Sequence, residues 1–140
     1  MSDVCLFCRI VEGTTPASHV YEDADVVGFL DHHPVFKGHV LLVPREHVVT
    51  LPDLPERLIV PLFGAAQRTA TAVTTALGAQ GSFVALNNVV SQSVAHLHVH
   101  VVPRTKGDGL RGFFWPRTRY DDGEAEIYAG RLRDALGGRA

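Results

Sequence analysis

Three histidines at alternate positions carry the chemistry that this sequence offers most plainly. His96, His98 and His100 are separated by Leu97 and Val99. Strict alternation of polar and apolar side chains is typical of a β-strand whose two faces differ. The three imidazoles should therefore lie in a row on one face, opposite an apolar face. Because histidine titrates near neutral pH and also binds metals as the neutral ring, catalytic and metal-binding interpretations both stand at this point.

The row of imidazoles should border a polar site, because polar groups without partners are costly to bury. A neutral imidazole in such a site can attack phosphorus as a nucleophile and form a phosphoramidate. Phosphoryl transfer otherwise depends on positioning and on charge stabilisation. Gln92 and Ser93 lie just before the run and can hold phosphate oxygens, while His100 can hold charge near the leaving group. Pro103 is predicted to end the strand, since proline cannot donate a hydrogen bond to the sheet.

The two cysteines form a single Cys-x-x-Cys pair, Cys5 and Cys8. Residues three apart share one face of a helical turn. In a reducing compartment this spacing favours metal binding or redox chemistry over a structural disulfide.

Composition describes an ordinary globular domain, with 140 residues of which 46% are hydrophobic and 20% charged. The formal net charge of -2 gives no electrostatic reason to expect binding to nucleic acid or to an anionic membrane. No apolar run approaches the ~18 residues that a membrane span requires. The first residues show no basic segment followed by an apolar one, so we expect no secretory signal and a cytoplasmic protein.

Four further strands are predicted from alternation and from Gly and Pro breakers, over about 19–21, 26–30, 39–43 and 82–86. A short helical segment from Cys5 to Glu12 precedes them, and a last helix is predicted over about 122–136. Strands that surround one long helix, without regular βαβ alternation, favour an α+β fold with an antiparallel sheet.

The long helix is predicted to end at Leu77, with Gly78 as its stop. Asp53, with Glu56 three residues later, is its predicted N-cap. Pro61 either kinks this helix or requires its regular part to start near Val60, because proline removes a hydrogen bond from a helix interior.

The run from His96 to Val102 resembles the signature of the histidine-triad (HIT) superfamily, in which three histidines alternate with apolar residues. The resemblance covers roughly residues 4 to 104, and its other motifs occur in the expected order. These motifs are Phe29-Leu30-Asp31, Lys37-Gly38-His39 leading into Val40-Leu41-Leu42-Val43-Pro44, Arg45-Glu46-His47, and Gln92-Ser93-Val94.

The resemblance implies a five-stranded antiparallel sheet with one long and one C-terminal helix, paired into a two-fold dimer through the long helix and the sheet. We expect one HIT-like domain over residues 1–140, with a flexible loop at 105–119 and the C-terminal helix within 120–140. The large apolar side chains Phe113, Phe114 and Trp115 in that loop are expected to pack somewhere, as part of a lid or across the dimer.

The resemblance also assigns roles to individual side chains. His98 would be the nucleophile of a covalent nucleotidyl-histidine intermediate, with His100, Gln92 and Ser93 as further catalytic groups. The other nucleotide-binding residues would be Phe7, Ile10 and Leu30 around the base, Asp31 on the ribose hydroxyls, and His39, Asn87 and Asn88 near the phosphate. Many family members have glycines before the matching glutamine, and this chain has none, so the choice between the two asparagines stays open.

A subset of HIT proteins is similar in having two cysteines, a histidine after Pro-x-x and the first triad histidine. The matching residues here, Cys5, Cys8, His47 and His96, supply two thiols and two imidazoles, the ligand set of a closed structural zinc site. Zinc bound there would leave His98 and His100 free for phosphate.

Three functions follow as hypotheses. The first is a hydrolase or nucleotidyl transferase that releases AMP from a purine nucleotide, as a phosphoramidase or as a dinucleoside polyphosphate hydrolase; Gln92-Ser93 favours the former and Val102-Pro103-Arg104 the latter. The second is a non-catalytic nucleotide-binding interaction module with a structural zinc. The third is a metalloenzyme whose three triad histidines bind one metal, which ranks last because no further ligand follows closely.

Overall fold

A computed structural model of the chain describes residues 4–110 and 116–137. These residues belong to two compact units, Met1–Asp108 and Gly109–Ala140. The first unit contains helices α1 (Leu6–Glu12) and α2 (Ile59–Leu77) and a five-stranded sheet, and the second contains helix α3 (Glu124–Leu136).

The sheet is antiparallel throughout and confirms the predicted α+β class. Its strands stand in the order β1-β2-β3-β5-β4, so β4 is an edge strand. The strands are β1 (His19–Glu22), β2 (Val26–Leu30), β3 (Val40–Pro44), β4 (Gly81–Ala85) and β5 (Val99–Arg104). Each predicted strand is therefore present, with bounds within about one to three residues of the expectation.

Helices cover both faces of this sheet, and β3 shows how the sequence achieves it. Val40 and Leu42 join the apolar cluster that α2 contributes to, whereas Leu41 and Val43 join the cluster that contains Phe7 of α1. Successive side chains of a strand point to opposite faces, so a strand covered on both sides becomes a continuous apolar run. All five residues of β3 are buried. His100 pairs with Leu41 across β3 and β5, which puts its ring on the α1 face.

Helix α2 starts as a regular helix at Ile59, so Pro61 falls in its first turn and no kink is needed. Proline is tolerated there because the first amides of a helix have no partner within it. The predicted N-cap at Asp53 is wrong. Its carboxylate accepts a hydrogen bond from the Thr50 hydroxyl (2.7 Å), and Pro55 starts a separate short turn that leads into the helix. Gly78 ends the helix in the left-handed conformation, at φ 73°, as predicted.

Strand β5 differs from the prediction at both ends. It begins at Val99, so His96 and His98 precede the paired region, because the neighbouring Leu97 N–H donates to the Val48 carbonyl (2.7 Å) and not to a strand. The strand also continues through Pro103, which pairs with Ser82.

Proline is accommodated there because one side of β5 is open at that point. Pairing with β3 ends at Val101, and the Arg104 carbonyl faces β4, where it accepts from Gln80 N–H (2.9 Å). The nitrogen of Pro103 therefore points to the side from which β3 has already departed, and its missing N–H costs no hydrogen bond of the sheet.

Helix α3 has no buried residue, and Tyr128, Leu132 and Leu136 are 48%, 61% and 61% exposed. Within the described residues, no helix combines the length and the apolar character needed to cross a membrane.

Candidate functional site

Two cysteines and two histidines converge at the start of α1. Cys5 is the N-cap of that helix, and its sulfur accepts the Cys8 amide at 3.3 Å. The Cys5 and Cys8 sulfurs lie 3.4 Å and 3.6 Å from Nδ1 of His96, and the Cys8 sulfur lies 3.3 Å from Nδ1 of His47. All four ligand atoms lie within 4.8 Å of one another. We call these four residues the closed cluster.

The closed cluster holds its ligand atoms ready for a metal ion. The Nε2–H of His96 donates to the Pro44 carbonyl at 2.8 Å, which leaves the lone pair on Nδ1 facing the sulfurs. Burial lowers the pKa of His96 to about 4, and burial together with the neighbouring Cys5 raises the pKa of Cys8 to about 11. Both groups are therefore neutral at pH 7 unless a cation binds.

The ligand set and its spacing fit a tetrahedral ion. A tetrahedral zinc with ordinary bond lengths separates its sulfur and nitrogen ligands by about 3.5 Å. Three of the sulfur–nitrogen distances in the closed cluster are 3.3, 3.4 and 3.6 Å. Four protein ligands fill such a coordination sphere, which is the arrangement of a structural site without an open position.

A cavity of about 850 Å³ lies on the same face of the sheet, beside the closed cluster. Its wall is apolar where α1, β2 and β3 contribute, through Leu6, Phe7, Ile10, Phe29, Leu30 and Leu41. It is polar where Asp31, His32, Ser93, His98 and His100 contribute. An apolar end next to a few convergent polar groups is the usual form of a small-molecule site.

His98 has one ring nitrogen anchored and one directed to this cavity. Its Nδ1–H donates to the main-chain carbonyl of His96 at 2.8 Å. The lone pair of the neutral ring is then on Nε2, which makes no hydrogen bond to the described part of the chain. The ring is only 3% exposed, packs edge-on against Phe7 at 5.0 Å, and still lines the cavity.

His100 receives its tautomer from a chain of hydrogen bonds behind the cavity. The Val35 amide donates to Nδ1 of His39 at 3.1 Å, so the proton of the neutral His39 ring is on Nε2. That Nε2–H donates to Nδ1 of His100 at 3.0 Å, which puts the His100 proton on Nε2. Burial, with His98 and His39 adding to it, lowers the pKa of His100 to about 4, and burial also lowers the pKa of His39. Both rings are therefore neutral at pH 7.

Asp31 completes the polar end, with one carboxylate oxygen 3.8 Å from Nδ1 of His39 and the other accepting the His33 amide at 3.0 Å. Asp31, His39 and His100 have the types and spacing of a possible second metal site. A metal bridging the two rings would have to displace the proton that His39 donates to His100, and His39 Nδ1 would lose its role as acceptor for Val35. We call Asp31, His39, His98 and His100 the open cluster.

The structure brings seven of the predicted nucleotide-site residues to the cavity wall: Phe7, Ile10, Leu30, Asp31, Ser93, His98 and His100. His39 lies behind His100. Gln92 is not on the wall, because its amide group donates to the Val49 carbonyl at 2.6 Å and accepts from the Val89 amide at 2.9 Å.

The side chains of both asparagines are likewise hydrogen-bonded to main-chain groups. The Asn88 side chain accepts the Leu51 amide at 2.7 Å, and the Asn87 side chain donates to the Ser91 carbonyl at 3.2 Å. Neither lines the cavity. Val89 and Ser91 take left-handed conformations, with φ of 69° and 62°. The loop thus keeps a backbone suited to glycine although it contains no glycine.

Some wall residues carry no signal in the sequence. Thr15, Pro16, Ala17 and Ser18 reach the cavity through the turn after α1, and Pro34 does so from another loop. At the start of the loop expected over 105–119, the Asp108 carboxylate accepts two hydrogen bonds from Arg104, the last residue of β5, at 2.6 and 3.1 Å. The aromatic residues 113–115, expected to pack over the site or across a dimer, lie outside the described residues.

The three triad histidines are not arranged as ligands of one metal. Nδ1 of His96 faces the cysteine sulfurs, and Nδ1 of His98 is bonded to a carbonyl. Among the described residues, neither group able to hold an ion contains all three rings. The geometry therefore disfavours the hypothesis of a catalytic metal on the triad.

Comparison with known proteins gives the same picture of fold and family. The family model described as the HIT domain matches residues 12–107. A solved structure from Streptococcus mutans superposes with a TM-score of 0.88 at 34% identity, covering 96% of this chain and 86% of that one. A Mycobacterium smegmatis structure described as a zinc-bound histidine triad family protein has a TM-score of 0.76 at 36% identity, covering 96% of this chain and 99% of that one.

A third relative is named for an activity. The Schizosaccharomyces pombe protein called adenosine 5'-monophosphoramidase is 32% identical over 114 residues, which are 80% of this chain and 83% of that protein.

Proposed function

Because the chain belongs to the HIT domain family, we propose that it is a hydrolase or nucleotidyl transferase that releases AMP from an adenosine nucleotide through a covalent nucleotidyl-histidine intermediate. The substrate is a phosphoramidate or a dinucleoside polyphosphate. The similarity to a protein named as an adenosine 5'-monophosphoramidase supports this class. The reduced thiols of the closed cluster suit a cytoplasmic location.

The observation that carries the proposal is the orientation of His98. Its Nδ1–H is fixed on the His96 carbonyl at 2.8 Å, so its lone pair on Nε2 is available at the wall of a cavity large enough for a nucleotide. An imidazole nitrogen that carries a lone pair can attack phosphorus directly. An imidazole held by one hydrogen bond is also positioned before substrate binds, which lowers the entropic cost of the attack.

In the first step, Nε2 of His98 forms a bond to the α-phosphorus while the bond from phosphorus to the leaving group breaks. The leaving group departs with that electron pair and takes up a proton. The modified ring carries positive charge, and its Nδ1–H bond to the His96 carbonyl becomes stronger as that charge develops. In the second step, water attacks the same phosphorus and releases one proton, and the N–P bond returns its electron pair to Nε2, which yields AMP.

His100 and Ser93 would hold the phosphoryl oxygens. The hydrogen-bond chain through His39 leaves His100 with an Nε2–H, so it acts as a neutral donor and not as a fixed cation. Ser93 offers a hydroxyl on the same wall. Gln92, Asn87 and Asn88 would support the loop that presents Ser93, since their side chains are bonded to the main chain.

The rest of the nucleotide would occupy the remainder of the cavity. The base would pack between Phe7, Ile10 and Leu30, and the ribose hydroxyls would donate to Asp31. One carboxylate oxygen of Asp31 already accepts an amide hydrogen, which leaves the other able to bind a diol.

The closed cluster would hold zinc as a structural ion. Cys5, Cys8, His47 and His96 supply four ligands at suitable spacing, and a relative with a zinc-bound structure is similar over almost all of this chain. When bound, zinc ties the N-terminal segment to the segment that carries His98 and takes no part in the reaction.

A two-fold dimer through α2 and the sheet completes the proposal. Ile59, Val60 and Phe63 on α2 are 42%, 79% and 38% exposed, and Val84 on β4 is 43% exposed. Exposed apolar side chains on a helix and on a neighbouring strand are suited to packing against a second copy of the chain. Light scattering after size exclusion should give twice the chain mass, and Val60→Glu should shift it toward the monomer while Val20→Glu on β1 should not.

The function is tested by mixing the protein with adenosine phosphoramidate or with a diadenosine polyphosphate and measuring AMP. Rapid quenching followed by mass analysis of peptides should detect an adenylyl group on His98. His33→Ala, outside the cavity wall, is the control that should keep full activity. Nucleotide binding without AMP release at high protein concentration would instead support the interaction module.

A further inference from the structure

We infer that the closed cluster is needed to assemble the nucleotide cavity, because helix α1 is both half of the metal site and one wall of the cavity. Loss of the metal should therefore weaken nucleotide binding and loosen His98, although no metal ligand contacts the nucleotide. This inference rests on the proposed zinc and nucleotide sites. It makes Phe7 and the His96 carbonyl positioning groups.

Helix α1, together with its N-cap Cys5, contributes to both sites. Cys5 and Cys8 are directed to the metal cluster, whereas Leu6, Phe7 and Ile10 line the cavity. Isolated helices of this length are not stable in water, because the cost of nucleation exceeds the gain from so few hydrogen bonds. The helix therefore depends on its packing against β2 and β3 and on whatever fixes its first turn.

Phe7 provides the first route from the metal site to His98. It lies between the two cysteines, and its ring packs edge-on against His98 at 5.0 Å and against His96 at 6.0 Å. If the first turn of α1 moved, the ring that supports the nucleophile would move with it. The same displacement would open the apolar wall on which the base is proposed to lie.

The His96 main chain provides the second route. Its carbonyl holds Nδ1–H of His98 at 2.8 Å, and its ring is held between the Pro44 carbonyl and the two sulfurs. Without a cation, the sulfur contacts of this ring are weak hydrogen bonds. A metal bound at the cluster would replace these contacts with ligand bonds. Mutation of a group that holds a metal ligand in place typically costs about 10–100-fold in metal affinity or activity.

The test uses His47→Ala, because His47 belongs neither to α1 nor to the cavity wall. His47→Cys is the matched variant, since three cysteines and one histidine also form a structural zinc site. Zinc content is measured by atomic emission, AMP affinity by calorimetry, and the order of α1 by hydrogen exchange of residues 6–12. Chelation of the wild-type protein followed by return of zinc gives the same comparison without a substitution.

We expect His47→Ala to lose zinc, to lose amide protection in α1 while α2 keeps its own, and to bind AMP at least about tenfold more weakly. His47→Cys and the zinc-restored wild type should recover all three properties. The ¹⁵N shifts of the His98 ring should show one fixed tautomer with zinc and an averaged one without it.

Zinc-free protein with protected α1 amides and unchanged AMP affinity would overturn the inference, and so would a wild-type chain that binds no zinc. Failure of the proposed function is a separate result. A zinc-loaded protein that binds no AMP would refute the nucleotide site, while the exchange of residues 6–12 would still decide whether the metal holds α1.

Discussion

His96 and His98 are two residues apart, and the main chain gives them opposite chemistry. In His96 the Nε2–H donates a hydrogen bond to the Pro44 carbonyl, so Nδ1 faces two sulfurs. In His98 the Nδ1–H donates a hydrogen bond to the His96 carbonyl, so Nε2 is the nitrogen that can act at the cavity that this ring lines. The identity of the bonded ring nitrogen, and not the residue type, thus assigns one ring to a closed cluster and the other to an open cluster.

The comparison also shows how a protein can hold an imidazole next to a group of metal-ligand types without making that imidazole part of the group. The ligands of the closed cluster are satisfied by one another and by main-chain groups. In the open cluster, the Val35 amide donates to His39 and His39 donates to His100. The remaining N–H of His100, on Nε2, is then the donor at the cavity. Alternate histidines therefore let one segment contribute side chains to two adjacent sites.

The largest expected effect separates the two clusters by substitution. His98→Ala should lower AMP release at least about a thousandfold, because it removes the nucleophile. It should leave zinc content and the thermal midpoint nearly unchanged. His96→Ala should lose the zinc and lower the midpoint. Parallel measurement of AMP by chromatography and zinc by emission tests both; equal zinc loss in the two variants would contradict the division.

Acid should lower the stability of the folded protein, because His100 of the open cluster binds a proton less readily there than in the unfolded chain. Its pKa is lowered from 6.5 to about 4 in the folded protein, so the unfolded chain binds the proton first. Stability is therefore complete above pH 6.5 and falls as the pH drops toward 4, by up to about 3 kcal/mol from this group. Urea unfolding at pH 7.5 and pH 4.5 measures the loss. His100→Asn should show a smaller loss over the same interval, and an equal loss would assign it to other groups.

A smaller effect is expected from breaking the chain behind His100. His39→Gln can keep a donor near the position of Nε2, whereas His39→Asn keeps an acceptor for the Val35 amide but is too short to reach His100. We expect His39→Asn to lower kcat about tenfold with little change in KM, and His39→Gln to recover part of it. If the two variants are equally impaired in kcat, or if only KM changes, the tautomer of His100 does not depend on His39.

The sequence predicts the parts of this molecule that depend on local pattern. The apolar run Val40–Pro44 indicates a strand between two covered faces, and Gly78 marks the end of α2 because its left-handed conformation suits glycine. The strand and the helix end need no knowledge of distant neighbours. The members of the two clusters are far apart in the sequence, and only the resemblance to the HIT superfamily implied that they would meet.

Other features depend on distant neighbours, and one of them, the end of the last strand, was predicted wrongly. Pro103 can remain in β5 because the pairing of β5 with β3 ends two residues earlier, at Val101. The local sequence does not show where that pairing ends. Gln92 faces the Val49 carbonyl, a partner 43 positions away, and not the cavity. The tautomers of His98 and His100 are set by a carbonyl and an amide whose positions emerge only from the folded main chain.

The smallest expected effect concerns the loop that brings Ser93 to the open cluster and contributes nothing to the closed one. Val89 is the centre of a tight turn in which the Val90 amide donates to the Asn88 carbonyl at 2.8 Å, and its φ is 69°. A β-branched residue in this region is strained by about 1 kcal/mol or more, while glycine adopts the conformation freely but gains freedom in the unfolded chain.

Val89→Gly should therefore leave the free energy of unfolding unchanged or raise it by up to about 1 kcal/mol. Val90→Gly is the matched control, because Val90 is equally exposed (79% against 75%) and is not left-handed, so it should lower that free energy by about 0.5–1 kcal/mol. Chemical unfolding measures both, and zinc content should be the same in both. Equal destabilisation would mean that the native loop does not hold Val89 in the strained conformation. This loop presents Ser93. A change in KM for AMP release without a change in zinc content would therefore show that the loop affects the open cluster and not the closed cluster.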